Sequence, residues 1–147
     1  MPAEHPSTNV DPYNLERFVE AQAPLIEQII SELRAGRKMS HWMWFIFPQI
    51  RGLGRSETAI EYAISGLDEA RAYLTHPVLG PRLKECTELV LRVENRPLAQ
   101  ILGSPDDMKF RSCMTLFAQV SADDDIFERA LQKYFQGKAD QLTLDRL

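Results

Sequence analysis

The feature that most constrains this chain is an unbroken run of six large apolar residues at positions 42–47, which contains both tryptophans. Such a run cannot face water, so it must cross the middle of a folded domain. Polar residues stand on both sides of the run and are therefore held near the core on a stiff support: Lys38, His41, Gln49, Arg51, Arg55 and Ser56. This arrangement is typical of a binding site, although a core-crossing segment with ordinary polar ends would give the same pattern.

The length and the charge of the chain bound its class. At 147 residues it has the size of one domain, and its net charge of −4 argues against a nucleic-acid-binding surface without excluding a local basic pocket. No apolar run approaches the roughly 18 residues of a membrane span, and the first residues lack the basic and apolar regions of a signal peptide. Cys86 and Cys113 stand in no metal-like spacing, which favours buried thiols in a reducing compartment. We therefore expect a cytoplasmic protein with no membrane or nucleic-acid partner, and the oligomeric state stays open.

The apolar periodicity predicts helices along the whole chain and offers no second strand for a sheet. Residues 1–10 are polar and predict a flexible N-terminal arm. Residues 11–147 predict a single helical domain, an all-α, compact bundle of about six to eight helices. For the apolar run we expect a short buried helix over 41–46 with Ser40 as its N-cap, although periodicity alone does not separate it from a buried strand.

Capping residues predict where several other helices begin. Ser56 is expected to begin a helix that runs to about Leu67. Ser104 followed by Pro105 and Asp107 indicates an N-cap, a first-turn proline and a capping-box acid, ahead of a helix with Met108 facing inward. Residues 123–125 are expected to begin the last long helix.

The turn at residues 52–56, Gly-Leu-Gly-Arg-Ser, gives the indication of a site that has the clearest physical basis. Free backbone N–H groups ahead of a helix favour an anion, and Arg51 and Arg55 add positive charge, so Gly52, Gly54 and Ser56 are candidate ligand-binding residues. The spacing fits neither a Walker phosphate loop nor the dinucleotide fingerprint, which requires a glycine at position 57. The alternative is a glycine turn with a capping serine.

His41 is the candidate catalytic residue, as a general acid or base beside the aromatic run. The alternative is a histidine that hydrogen-bonds a helix end. Three scattered histidines without carboxylates or cysteines at ligand spacing predict no metal site, and we expect no cofactor. His76 is better explained as a cap ahead of Pro77.

The remaining candidates are ligand-binding residues near the aromatic run. Gln49 follows the run and offers an amide for a base edge or a carboxamide, and Lys38 precedes it and can pair with a phosphate or carboxylate. Trp42 and Trp44 are expected to hold the planar part of a ligand. Lys109, Ser112 and Thr115 share one face of a later helix at spacings of three, where a merely solvated face is the alternative.

Several segments of the sequence are similar to one family. They are residues 11–22, 36–38, 40–56, 73–83, 107–117 and 127–137. The block His-Trp-Met-Trp-Phe at 41–45 is the most specific of them, and together they resemble the bacterial and fungal family catalogued as domain of unknown function 1810. The resemblance implies a compact all-helical domain and assigns no activity. A looser likeness, in architecture alone, is to a helical superfamily linked to NAD and ADP-ribose metabolism.

Two functions fit these observations. The first is binding or hydrolysis of a small anionic, nucleotide-like ligand in a pocket around residues 38–56; a hydrolytic or glycosidic reaction would use His41, but no carboxylate is clearly placed to assist. The second is a non-enzymatic protein-interaction module with a purely structural aromatic core. A pocket with at least two of His41, Gln49, Arg51 and Lys109 pointing into it favours the first function, and a filled interior without one favours the second.

Overall fold

The computed structural model describes residues 11–121 and 126–147, and their fold is all-α, which confirms the prediction. The described residues form ten helices, of which six have seven residues or more: α1 (Glu16–Gln22), α2 (Ile26–Arg34), α3 (Met43–Ile46), α4 (Glu57–Glu61), α5 (Leu67–Thr75), α6 (Leu79–Arg92), α7 (Leu98–Leu102), α8 (Asp106–Ala118), α9 (Ile126–Phe135) and α10 (Gln141–Leu144). An isolated parallel bridge joins Ile50 to Ile64. The predicted arm at residues 1–10 and the predicted helix start at residues 123–125 lie outside the described residues.

Two long helices, α6 and α8, form the centre of the molecule. The α6 helix packs against α2, α5 and α9, and the α8 helix packs against α5, α7, α9 and α10. The ring of Phe110 on α8 meets Phe47 edge-on at 5.0 Å between centroids. Phe117, two turns further on, lies 5.3 Å from Tyr73 and 5.9 Å from Phe127. The aromatic core is therefore assembled around α8, with the apolar run on one of its sides.

The C-terminal end of α6 is completed by side chains of α9. Lys133 Nζ donates to the carbonyl oxygens of Leu91 at 2.5 Å and Val93 at 2.9 Å, and the Tyr134 hydroxyl donates to that of Val90 at 2.8 Å. The last carbonyls of a helix have no partner within it. The packing of α9 on α6 is therefore fixed by hydrogen bonds as well as by apolar contact.

The apolar run lies in the core, as predicted, except for Trp44, which is partly exposed, and its middle forms the short helix α3. The buried side chain of Gln22 supports it from α1, because its Nε2 donates to the carbonyl oxygen of Phe45 at 2.6 Å and to the Tyr73 hydroxyl at 3.2 Å. The carbonyls of so short a helix need partners from elsewhere. Gln22, which ends the apolar face of α1, supplies one of them.

The predicted N-cap at Ser40 is wrong. Trp42 occupies the N-cap position of α3 and makes no side-chain cap bond. The hydroxyl of Ser40 donates instead to the Glu32 carboxylate at 2.7 Å. As an N-cap, the serine oxygen would accept from a backbone N–H. Here its hydroxyl donates to a charged oxygen, which makes a stronger hydrogen bond, and ties residue 40 to α2.

The predicted helix from Ser56 to Leu67 is wrong in its length. Ser56 does cap α4, with its Oγ accepting from the Ala59 N–H at 3.1 Å, but the helix ends at Glu61. The backbone of Ile64 is engaged elsewhere, because its N–H donates to Gln49 at 2.9 Å and its carbonyl accepts from Arg51 at 2.8 Å. This pairing prevents α4 from continuing and holds together the two ends of the segment between residues 50 and 64.

The predicted start of α8 at Ser104 is also wrong. The helix begins at Asp106 with Pro105 in the N-cap position, where no side chain accepts a cap bond. Met108 was predicted to face inward, yet its side chain is 46% exposed. It precedes the buried Phe110 by two residues, which places it roughly 200° around the helix on the outer face.

Candidate functional site

The segment that precedes the aromatic run is held by one buried carboxylate, Glu32 on α2. Its oxygens accept hydrogen bonds from Met39 N at 2.7 Å, from Ser40 N at 3.2 Å and from Trp42 Nε1 at 2.9 Å. The Ser40 hydroxyl and Gln28 Nε2 add two more, at 2.7 and 3.0 Å. Five donors on one carboxylate fix both the loop and the indole ring.

These hydrogen bonds decide the ionisation of Glu32. Burial on its own raises the pKa of the carboxyl, because it disfavours the charged form. The hydrogen bonds from Met39, Ser40, Gln28 and Trp42 outweigh burial and lower the pKa from 4.5 to about 2. Glu32 is therefore ionised at neutral pH and serves as a structural anchor.

Asp106, the first residue of α8, lies between two lysines. Its Oδ2 is 3.0 Å from Lys38 Nζ and its Oδ1 is 3.6 Å from Lys109 Nζ. Lys38 Nζ lies 5.2 Å from the ring centroid of Trp42, and Lys109 Nζ lies 5.2 Å from that of Trp44. Four predicted site residues, three of them between positions 38 and 44 and the fourth at position 109, are thus brought together around a carboxylate.

A pocket of about 260 Å³ opens beside Lys109, and we call it the Lys109 pocket. It is lined by Gln49, Leu53, Gly54, Pro105, Met108, Lys109, Ser112, Asp140 and Leu142. A narrow recess of about 10 Å³ shares Gln49, Gly54 and Lys109 with it and is bordered by Trp44 and Tyr62. The recess is no larger than the space of one water molecule, about 10–15 Å³ on this measure. The pocket is therefore the part of this region that can accept a ligand.

Gln49 and Ser112 present different chemistry to the Lys109 pocket. The side-chain amide of Gln49 makes no hydrogen bond within residues 11–121 and 126–147, so its donor and acceptor are free. The hydroxyl of Ser112 already donates to Asp140 Oδ2 at 2.9 Å. Thr115 is fully buried, and its Oγ1 accepts from the Asp140 N–H at 2.8 Å. The two hydroxyls therefore fasten the segment before α10 to α8.

Trp42 and Trp44 differ sharply in accessibility. The side chain of Trp42 is 1% exposed, so neither face of its ring is open to a ligand. Trp44 is partly exposed at the recess beside the Lys109 pocket. Of the two indoles, Trp44 is the partly exposed one, and it borders the recess rather than the Lys109 pocket itself.

The glycine turn at 52–56 packs closely against its neighbours. Gly52 has a φ of +99°, and a Cβ there would collide with the guanidinium of Arg146. A Cβ on Gly54 would come 2.6 Å from that of Ala59. Since α4 has only five residues, its dipole is small and Ser56 already caps it. The anion site predicted at this turn stays a prediction.

Three predicted polar residues lie outside the Lys109 pocket. His41, Arg51 and Arg55 are exposed, and none of them lines the Lys109 pocket or its recess. The catalytic role of His41 stays a prediction. The assignment of His76 as a cap is confirmed, because its Nδ1 accepts from the N–H groups of Val78 and Leu79 at 3.1 and 3.2 Å.

The sequence reasoning missed three carboxylates of this region, Glu32, Asp106 and Asp140. Glu32 stands beside the inward-facing Leu33, a position that could have drawn attention to it. Asp106 lies between Pro105 and Asp107 in the segment that predicts a helix start, and that pattern gives no indication of lysine partners. Asp140 precedes a helix too short for periodicity to predict.

Comparison with known proteins supports the fold and gives no activity. The sequence matches the family described as "Protein of unknown function (DUF1810)" over residues 12–147. It is similar to a crystal structure described as the conserved hypothetical protein Rv1873 from Mycobacterium tuberculosis, with 53% identity and a TM-score of 0.92 over 93% of this chain and 98% of that one. None of the curated proteins matches the chain significantly. Among the described residues, no helix is long and apolar enough to cross a membrane.

Proposed function

The chain belongs to the family described as protein of unknown function (DUF1810), and we propose that it binds a small anionic, nucleotide-like ligand in the Lys109 pocket. The observation that carries the proposal is the convergence of Gln49 and Lys109 on one cavity, next to the recess that the partly exposed ring of Trp44 borders. A free amide, a cation and an aromatic edge are the groups that recognise a base or carboxamide and a neighbouring anion.

The charge of the pocket supports an anionic ligand. Lys109 Nζ is 3.6 Å from Asp106, and its side chain is 28% exposed, so the ammonium keeps donors for a ligand. Asp140 lines the same pocket, but its Oδ2 already accepts from Ser112 and from Thr143. An anion near Lys109 therefore meets a positive group on one side, while Oδ2 of the Asp140 carboxylate on the other side is engaged by hydroxyl donors.

The proposal is restricted to binding. His41 lies outside the pocket, and the carboxylates Asp106 and Asp140 each already have partners. A general acid or base must come within hydrogen-bonding reach of the reacting proton. The volume of about 260 Å³ is near the lower end of small-molecule pockets, roughly 300 Å³. It suits a mononucleotide fragment or a nicotinamide-sized group better than a whole dinucleotide.

The test is a calorimetric and thermal-shift titration with AMP, ADP-ribose, NAD and phosphate. A ligand at 100 times its dissociation constant raises the free energy of unfolding by about 2.7 kcal/mol. We expect Lys109→Gln and Gln49→Ala each to weaken binding about tenfold, because each removes a polar contact to the ligand. Lys84→Gln is the matched control, since Lys84 is an exposed lysine on α6 outside the pocket. An equal loss in the control would contradict the proposed site.

The protein-interaction module stays the alternative function. Most of the aromatic run is core, and Met108 and Leu142, which are 46% and 65% exposed, form apolar edges around the pocket. Apolar side chains on a surface are also what a protein partner would cover. The same titration separates the two functions, because no binding of any of the four compounds to folded protein would favour the module.

A further inference from the structure

A second pocket, of about 540 Å³, lies between the α2–α3 loop and α7, and we propose that it binds a compact oligophosphate such as inorganic pyrophosphate. We call it the basic pocket. Its lining residues are Arg37, Lys38, Arg96, Ala99, Gln100 and Gly103. Three of these six residues are cations and none is a carboxylate, although the chain as a whole carries a net charge of −4.

Arg96 is held in place by the loop across the pocket. Its Nη1 donates to the carbonyl oxygen of Gly36 at 2.7 Å. Gly36 ends α2 with a φ of +76°, and a Cβ there would lie 3.3 Å from the same Nη1, so the guanidinium rests against the bare α-carbon. One edge of the planar guanidinium is thereby fixed, and its remaining donors are available to a ligand.

The charges of the basic pocket are only partly compensated. Arg37 is exposed, and its side chain makes no hydrogen bond or ion pair with any residue of the described ranges. Lys38 pairs with Asp106 at 3.0 Å, and its side chain is 9% exposed, so it adds a fixed charge that Asp106 offsets. Arg37 and Arg96 therefore bring two positive charges that face no carboxylate in the lining. Two neighbouring cations fit a ligand with two neighbouring anionic groups.

A smaller pocket of about 340 Å³ shares Arg96 and adds Arg34, Arg92 and the carboxylate of Glu94. These two arginines lie in the last turns of α2 and α6, where a cation stabilises the helix dipole. They therefore have a structural role of their own and are not needed for the proposal. Arg92 also pairs with Glu88 at 3.4 Å and Glu94 lines the same pocket, so this neighbourhood adds little net positive charge.

The lining also narrows the class of ligand. No aromatic side chain lines the basic pocket, so it offers no ring on which a base can stack, as single-stranded nucleic acids require. The volume lies within the roughly 300–1,000 Å³ of small-molecule sites. Arginine side chains bind the oxygens of phosphate groups in a bidentate manner. A short oligophosphate satisfies all three conditions, and the basic pocket shares no lining residue with the Lys109 pocket.

The experiment is isothermal titration of the full chain with pyrophosphate at low ionic strength, with orthophosphate as the second probe. We expect one saturable site for pyrophosphate and weaker binding of orthophosphate. Arg37→Gln should raise the dissociation constant about tenfold, since it removes charge-assisted hydrogen bonds. Arg96→Lys keeps the charge but loses the paired N–H donors of the planar guanidinium, so it should weaken binding as well. Arg71→Gln, an exposed arginine on α5 paired with Asp68, is the control and should change nothing.

The outcomes that overturn the proposal are distinct. The proposal fails if millimolar pyrophosphate shows no saturable binding, or if Arg37→Gln leaves the dissociation constant unchanged. It also fails if Arg71→Gln weakens binding as much as Arg37→Gln does, or if a single-stranded oligonucleotide binds more tightly and displaces pyrophosphate. The side chain of Arg37 has no partner among the described residues, so Arg37→Gln is expected to fold. It therefore decides the question even if Arg96→Lys fails to fold. Lys109→Gln should leave pyrophosphate binding intact, which separates this site from the Lys109 pocket.

Discussion

Two lysine–tryptophan pairs flank Asp106, and they have the same local geometry in different surroundings. In each pair the ammonium lies 5.2 Å from the indole centroid and forms an ion pair with Asp106. The indole of Trp42 is buried and bonded to Glu32, whereas that of Trp44 borders a recess beside the Lys109 pocket. Cation–π contacts and ion pairs therefore do not by themselves distinguish a scaffold from a site.

The difference between the pairs arises from a hydrogen-bond partner that the Trp42 indole has and the Trp44 indole lacks among the described residues. The Trp42 N–H donates one of the five hydrogen bonds that Glu32 accepts, so the position of this ring is fixed by the fold. Trp44 and the amide of Gln49 make no hydrogen bond within the described residues, so they can accept a ligand without breaking a bond. The following predictions test this comparison, beginning with the largest effect.

Truncating the two indoles should separate scaffold from site. We expect Trp42→Ala to lower the free energy of unfolding by about 3–5 kcal/mol, because it opens a cavity in the core. Trp44→Ala should cost about 1 kcal/mol, since its ring is partly solvated already. Urea denaturation followed by circular dichroism measures both, and Trp42→Phe serves if the alanine variant does not fold. Equal losses would show that burial does not separate the two tryptophans.

The Glu32 network should appear in the pH dependence of stability. Since folding lowers the pKa of Glu32 from 4.5 to about 2, the carboxylate stabilises the fold fully above pH 4.5, and this contribution is lost as the pH falls towards 2. We expect Glu32→Gln to lower the free energy of unfolding by about 2–3 kcal/mol at neutral pH. The difference from the wild type should shrink between pH 4.5 and 2.

The control for this prediction is Glu27→Gln, an exposed glutamate on the same helix. It should leave the free energy of unfolding nearly unchanged at every pH. A difference between Glu32→Gln and the wild type that stays constant down to pH 2 would show that the hydrogen bonds do not depend on the charge.

The two ion pairs of Asp106 should give the smallest effects and should differ from each other. Double-mutant cycles of Asp106→Asn with Lys38→Met and with Lys109→Met measure each coupling energy. We expect about 1 kcal/mol for the shorter and more buried Lys38 pair and about 0.3 kcal/mol for the Lys109 pair. The Lys109 coupling should also fall more with added salt. A larger coupling energy for Lys109 would show that the Lys109 pair, and not the Lys38 pair, is the one that stabilises the fold.

Periodicity was sufficient for the long helices, because their apolar stripes record which face is buried. It failed where tertiary contacts decide the backbone. The N–H of Ile64 pairs with Gln49 rather than continuing α4, and the hydroxyl of Ser40 bonds to Glu32 rather than capping α3. In both cases the predicted interaction is with a neighbour in the sequence, and the observed one is with a partner that the local pattern does not contain.

The site was predictable only in part for a related reason. The polar residues around the apolar run indicated the right neighbourhood, and Gln49 and Lys109 do line one pocket. The acidic residues were missed because their partners are mostly backbone N–H groups and distant side chains. A carboxylate such as Glu32 looks like a solvated residue until the loop that donates to it is placed.

The attachment of α10 has a practical consequence for the Lys109 pocket. Asp140 and Leu142 line the pocket, but their segment is joined to α8 mainly through Arg111, Ser112 and Thr115, by hydrogen bonds rather than by apolar packing. Elements with few buried apolar contacts open at low free-energy cost. We therefore expect faster amide exchange in α10 than in α8, and an affinity tag fused after Leu147 would be attached to the least firmly fixed wall of the pocket.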